Sequence, residues 1–159
     1  MKDTIKLKGD IELIVDWKDN CKEQENICFS NTILLKGRQA IAASLGNEFG
    51  NDYNFFITRM LFGDGGTSGD GQPKFVGAQR TGLFGTTQVN KPIISTIDPT
   101  NATQVIFTSV ISFSEGNGFV LNEMALQMNS GDLYSMATFG GITKTSLMQL
   151  TWNWRLSII

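Results

Sequence analysis

Phosphate chemistry is the first possibility the sequence raises, at Phe62-Gly63-Asp64-Gly65-Gly66-Thr67-Ser68-Gly69-Asp70-Gly71. Glycine-rich loops cradle phosphates with backbone N–H groups when a Lys and a Ser or Thr follow, or when the loop leads from a strand into a helix. Here Gly71 is followed by Gln72-Pro73, and no helix is expected next, so neither nucleotide motif is satisfied. Asp64 and Asp70 have the oxygen chemistry for calcium, but the alternating acidic ligands of an EF-hand loop are missing. The expectation is a tight surface loop whose glycines supply positive φ.

Paired carboxylates are the second possibility, since two of them can hydrolyse a glycoside. Glu115 and Glu123 are expected to flank a hairpin and to lie within reach of one another. Glu115, in Ser114-Glu115-Gly116-Asn117-Gly118, reads as a turn residue. Glu123 lies within Leu121-Asn122-Glu123-Met124-Ala125-Leu126, so it reads as a buried carboxylate that needs a partner. Arg155 and Lys144 are the available cations, and a backbone bond is the other solution. Trp17, Trp152 and Trp154 could stack on sugars, but Trp152 and Trp154 share a face with Met148, Leu150, Leu156 and Ile158, which reads as core. A glycan-binding surface would instead use the loop aromatics Tyr53, Phe75, Phe84 and Phe119. The chain has no histidine, which removes Ser-His-Asp and Cys-His catalysis and histidine metal sites. Cys21 and Cys28 alone do not make a zinc site and are expected as free thiols. No catalytic, cofactor-binding or metal-binding residue is assigned, and no cofactor is expected.

The elements that must position these residues lie in a chain of 159 residues, long enough for one domain with its own core. Thirteen Lys and Arg stand against 15 Asp and Glu, a balance that argues against nucleic-acid binding. No apolar run approaches the ~20 residues of a membrane span, and the first residues lack the apolar stretch of a signal peptide. The charge is unevenly spread. Residues 81–159 contain only Lys91, Asp98, Glu115, Glu123, Asp132, Lys144 and Arg155, which predicts that much of this half faces other protein, because interface centres are depleted of charge.

Periodicity supplies the elements. Ile11, Leu13, Val15 and Trp17 alternate with polar residues, predicting a half-buried strand paired with residues 4–8 through a turn at Gly9-Asp10. Residues 1–26 are thus a strand pair, or alternatively an arm for assembly. A helix is expected over 31–45, capped by Ser30 or Asn31 and stopped at Gly46. Strands are expected at 55–62, 93–97, 104–113, 119–128, 133–139 and 148–158, with 72–90 as an extended loop. Short strands separated by turns predict a mainly β chain: an antiparallel β-sandwich, or partly closed barrel, with one α-helix, as a single domain over 1–159.

A run of short phrases adds a resemblance. Asn31-Thr32 and Gly37-Arg38 are followed by Leu61-Phe62-Gly63-Asp64-Gly65-Gly66-Thr67, Arg80-Thr81-Gly82-Leu83-Phe84 and Val105-Ile106-Phe107. Next come Gly118 through Leu126, Gly131-Asp132-Leu133-Tyr134-Ser135 with Phe139, Lys144-Thr145, and Leu150-Thr151-Trp152-Asn153-Trp154. In order and spacing, over residues 31–156, these resemble small virion proteins of tailed bacteriophages: fibre-base, baseplate-associated and head- or tail-decorating subunits. The resemblance implies a non-enzymatic building block, assembled in the host cytoplasm into the virion. Its partners would be other virion proteins and further copies of itself, with no nucleic acid or membrane. The independent reading agrees, in a charge-poor half and strand edges able to pair with a neighbour. The alternative is a carbohydrate- or receptor-binding module at a fibre or tail tip, with a host glycan or receptor as partner. A hydrolase using Glu115 and Glu123 ranks last.

Overall fold

A computed structural model describes residues 6–46 and 55–159. The elements run β1 (Leu7–Trp17), β2 (Glu25–Ser30), β3 (Thr32–Ile33), α1 (Leu35–Gly46), β4 (Ile57–Gly63) and β5 (Thr87–Pro92). They continue as β6 (Ile94–Ile97), β7 (Gln104–Ile111), β8 (Val120–Met128), β9 (Leu133–Thr143) and β10 (Met148–Ile158). They form two five-stranded antiparallel sheets, β2-β1-β10-β7-β6 and β3-β9-β8-β4-β5. Neither sheet closes on itself, so the fold is an open sandwich and not a barrel.

The core follows from alternation. Met148, Leu150, Trp152, Trp154 and Leu156 of β10 are buried, while the residues between them are half-buried at the outer face. β1 pairs with β10 along its whole length, setting Ile11, Leu13 and Val15 opposite Trp154, Trp152 and Leu150 on the same face. From the second sheet, Phe62 and Phe139 bring their rings to 5.2 and 5.3 Å from Trp152, in tilted contacts worth about 0.5–1.5 kcal/mol each beyond area burial.

The second sheet is buried on both faces. Met60, Phe62, Met124, Leu126 and Met128 point to the inter-sheet core. Leu61, Ala125, Leu133 and Met136 form a separate apolar cluster with Leu34 and Val76, against which Leu83 and Phe84 pack. The chain between β4 and β5 therefore covers a sheet face. It is a layer of the molecule, and β5 emerges from a stretch whose sequence predicts only loop.

Four expectations are corrected. Gly9-Asp10 is no turn: β1 runs straight through it, with Gly9 opposite Leu156 and Asp10 between Arg155 and Ser30. Gly9 serves close approach instead, because a Cβ there would lie 2.0 Å from Asn31 Oδ1. The helix begins at Leu35, since Ser30 ends β2 and Thr32 and Ile33 form β3, and Asn31 between them donates to Ser135 Oγ in place of capping. Residues 115–118 are not the turn of a hairpin: β7 and β8 lie in different sheets, and Gly116 (φ +64°) and Gly118 (φ +89°) turn the chain across between them. β9 continues past Phe139 to Thr143, where Val120 and Leu121 supply partners for Thr143 and Ile142.

Candidate functional site

The polar centre of the molecule is built on β8. Between Leu121 and Glu123 its register against β9 shifts, and such a bulge re-aims side chains. Asn122 and Glu123 both turn to the glycine-rich loop. Glu123 is fully buried. Its Oε1 accepts the N–H groups of Gly65 at 2.9 Å and Gly85 at 2.8 Å, and its Oε2 accepts Phe84 N–H at 2.7 Å. Asn122 Oδ1 accepts Gly66 N–H at 2.6 Å, while its Nδ2 donates to Asp64 O and Thr67 Oγ1. Asp64 accepts Thr86 N–H and the Gln88 amide.

This arrangement answers the phosphate question chemically. Successive backbone N–H groups form an anion-binding nest, and here the anion is the protein's own carboxylate. The donors of Gly65, Gly66, Phe84 and Gly85 are committed to Glu123 and Asn122, so the loop presents them to no ligand. The role of the glycines is also corrected. Gly63, Gly65, Gly66 and Gly85 do not have positive φ; Gly71 is the loop position that does. They are glycines because two chain segments touch: a Cβ on Gly65 would lie 2.2 Å from Gly85 N, and one on Gly66 2.2 Å from Asn122 O.

The covering layer is pinned along its length. Lys74 N–H donates to Gly66 O, and its ammonium to Gly65 O at 2.7 Å. Thr138 Oγ1 donates to Lys74 O, and Leu35 N–H to Ala78 O. Arg80 stacks its guanidinium 3.4 Å from the Phe84 ring centroid and donates to Leu83 O. Asn122, Lys74 and Arg80 are the residues that sequence reading missed; the one signal was the polar pair Asn122-Glu123 inside an apolar run.

The carboxylate pair does not form as expected. Glu115 bonds Lys91 Nζ at 2.6 Å and Ser112 N–H at 2.9 Å, and shares no partner with Glu123. The Lys91 ammonium, then the Ser112 N–H, hold its carboxyl down to about 2. Neither expected cation pairs with Glu123. Arg155 sits on β10 opposite Asp10 and Ile106. Lys144 is itself buried, donating to Asn117 Oδ1 at 3.0 Å and Thr145 O at 2.8 Å, and desolvation lowers its pKa while the Glu115 charge opposes that. Asp70 turns to Ser68 Oγ at 2.5 Å and Gln72 N–H, contacts that lower its pKa. Among the described residues no group of three or more Cys, Asp or Glu could hold a metal ion.

The aromatics divide by role. Trp152 and Trp154 are fully buried core, and Trp17 packs at the core margin with the Lys22 ammonium 4.1 Å from its ring. Phe75 is 89% exposed, Phe119 is exposed, and Phe84 lies beneath Arg80. Tyr53 lies outside the described residues. Cys21 and Cys28 are exposed free thiols. No helix among the described residues is long and apolar enough to cross a membrane.

An open two-sheet sandwich whose polar centre is spent on holding its own cover defines a structural β module. The chain belongs to the phage tail-collar fibre protein family, whose N-terminal region it matches over residues 27–156. It is a tail-fibre structural protein and a component of the tailed-phage virion. No curated protein and no solved structure matches it significantly.

Proposed function

We propose that this chain is a non-enzymatic assembly subunit, a single domain that binds copies of itself and neighbouring fibre, tail or neck proteins without contacting nucleic acid or membrane. The observation that carries this reading is the surface of the charge-poor half. Of its seven charged side chains, Glu123 and Lys144 are fully buried, and Lys91 and Glu115 neutralise one another. Asp98, Asp132 and Arg155 are the remaining charged groups of a stretch of chain that also exposes Ile94, Ile97, Phe119, Val120, Leu147 and Ile158. Burying such a surface against protein costs little desolvation of charge and gains apolar burial. Immunogold microscopy of purified particles tests it: label at the tail or its fibres is expected. Particles unlabelled by an antibody that recognises the native protein would sink the reading.

Phe75 favours a second reading, receptor or glycan binding. Its ring is exposed while Lys74 and Val76 on either side are held, one by hydrogen bonds and the other by burial. A glycan array silent at high protein concentration would remove it.

A further inference from the structure

Among the described residues two charged side chains are fully buried, Glu123 and Lys144. Glu123 is satisfied by backbone N–H groups. Lys144 forms no ion pair among the described residues, and the partners of its ammonium are neutral oxygens, Asn117 Oδ1 at 3.0 Å and Thr145 O at 2.8 Å. Its stem is packed among apolar groups: a Cβ on Gly116 would lie 3.0 Å from Val89, 3.6 Å from Ile111 and 3.7 Å from Lys144 Cγ. Burial of this kind favours the neutral amine, the nucleophilic form, over the ammonium. The main chain fixes what that amine faces. Asn117 lies on the crossing from β7 to β8, and Lys144 on the crossing from β9 to β10, each leading from one sheet to the other. Lys144 N–H donates to Phe119 O and Gly118 N–H to Lys144 O, both at 2.9 Å, so the two crossings are bonded side by side. The Asn117 amide is held from both ends, since its Nδ2 donates to Phe113 O at 3.0 Å.

We propose that Lys144 and Asn117 condense into an intramolecular isopeptide bond that joins the two crossings covalently. The neutral amine attacks Asn117 Cγ. The Nζ–Cγ bond forms as the Cγ–Nδ2 bond breaks, a proton passes from Nζ to Nδ2, and ammonia leaves to solvent, to which Asn117 is exposed. An amine and a primary amide become a secondary amide and ammonia, so no oxidant, cofactor or second substrate is needed. A carbonyl bond is about 1.2 Å long, so the 3.0 Å contact to Oδ1 places Nζ within about 4.2 Å of the carbon it attacks. Reacting atoms sit about 3–3.5 Å apart in a near-attack arrangement, and a small shift of the long lysine stem supplies the difference. The Glu115 charge, which acts on Lys144, favours the positive nitrogen that develops during attack. The competing reaction at an Asn-Gly step is attack by the Gly118 nitrogen to give a succinimide, and here that N–H is held on Lys144 O. The condensation occurs once per chain without turnover, and it stands apart from the assembly reading.

Mass spectrometry of the full chain, purified folded and incubated at length before it is denatured, tests this. The intact mass should fall short of the sequence by one ammonia. Cleavage after glutamate should then release residues 116–123 joined to residues 124–159 as one branched peptide, and trypsin should no longer cut after Lys144. Asn117→Asp is the folded control. Its carboxylate can pair with Lys144, but an ionised carboxylate is not attacked by an amine, so this variant should keep its full mass and its circular dichroism and give two separate peptides. A wild-type chain of full mass after incubation, with residues 116–123 released alone, overturns the inference. So does a loss of ammonia confined to a linear 116–123 peptide with Lys144 still open to trypsin, which would be the succinimide at Asn117-Gly118.

Discussion

Glu123 carries the largest energetic consequence of any single polar side chain here. A buried carboxylate with no ion pair among the described residues is tolerated because three N–H groups surround it. Glu123→Gln retains the shape but replaces one acceptor by an NH2 group that faces a donor. It should cost about 2–3 kcal/mol, the range for losing hydrogen bonds to a buried charged group. Urea unfolding measures the loss, and limited proteolysis should cut first within residues 72–86. A variant as stable and protease-resistant as wild type would mean the cover is held by its apolar contacts alone. Glu115 makes a weaker and pH-dependent contribution. Its carboxyl ionises near 2 in the fold against an ordinary 4.5, so its stabilisation is complete above about pH 4.5 and disappears as pH falls toward 2. The pair with Lys91 is partly exposed, which limits its worth to about 0.5–1 kcal/mol. Glu115→Gln should therefore be less stable by that amount at pH 7, and the two proteins should unfold alike near pH 2. A difference that persists in acid would assign the effect to packing.

At the scale of elements, the glycine-rich loop shows where sequence reasoning reaches and where it stops. Its irregularity was legible from composition. Its reason was not, because glycine allows both positive φ and close approach, and only three-dimensional neighbours decide between them. Gly65 and Gly69 test close approach alone, since neither has positive φ. A Cβ on Gly65 would strike Gly85 backbone at 2.2 Å, whereas nothing lies within 4 Å of one on Gly69. Gly65→Ala should cost on the order of 1–3 kcal/mol through overpacking, and Gly69→Ala should leave the melting temperature nearly unchanged. Equal effects at both positions would show that the loops are free to separate. The strands were more legible: β10 declared its faces by strict alternation, and its buried face is the one expected apart from exposed Ile158. β8 was read as one strand, but its role as the wall between two cores was not. An apolar run with Asn122-Glu123 inside it does not say which side each residue takes once a bulge shifts the register. The helix start and the 112–119 crossing failed for a related reason. Capping and turn residues are local signals, and pairing with distant strands overrode them.

For the whole molecule, the position of β1 has a consequence that the family match alone conceals. The match begins at residue 27, so residues 1–26 could be taken for an appendage that reaches a neighbouring subunit. In the fold, β1 is the second strand of its sheet, hydrogen-bonded to β2 on one side and β10 on the other. Its Ile11, Leu13 and Val15 are all but completely buried beside Trp154, Trp152 and Leu150 of β10. Burial of each is worth about 1.5–3 kcal/mol, and the three together are comparable with the 5–15 kcal/mol that stabilises an ordinary domain. Removing residues 1–26 would also strip β10 of its pairing partner on that side and leave what remains of β2 without β1 to pair with. The truncated chain, residues 27–159, should thus fail to fold: far-UV circular dichroism should lose its β signal, or the protein should aggregate through the uncovered β10 edge. Adding a peptide of residues 6–20 during refolding should restore structure by supplying β1 in trans. If the truncated chain instead folds with native stability and only its assembly suffers, β1 is an exchangeable arm, and a neighbouring subunit's β1 could occupy the same groove. The two outcomes separate cleanly by melting and sedimentation of one sample, because only the second leaves a cooperative transition in a monomeric protein.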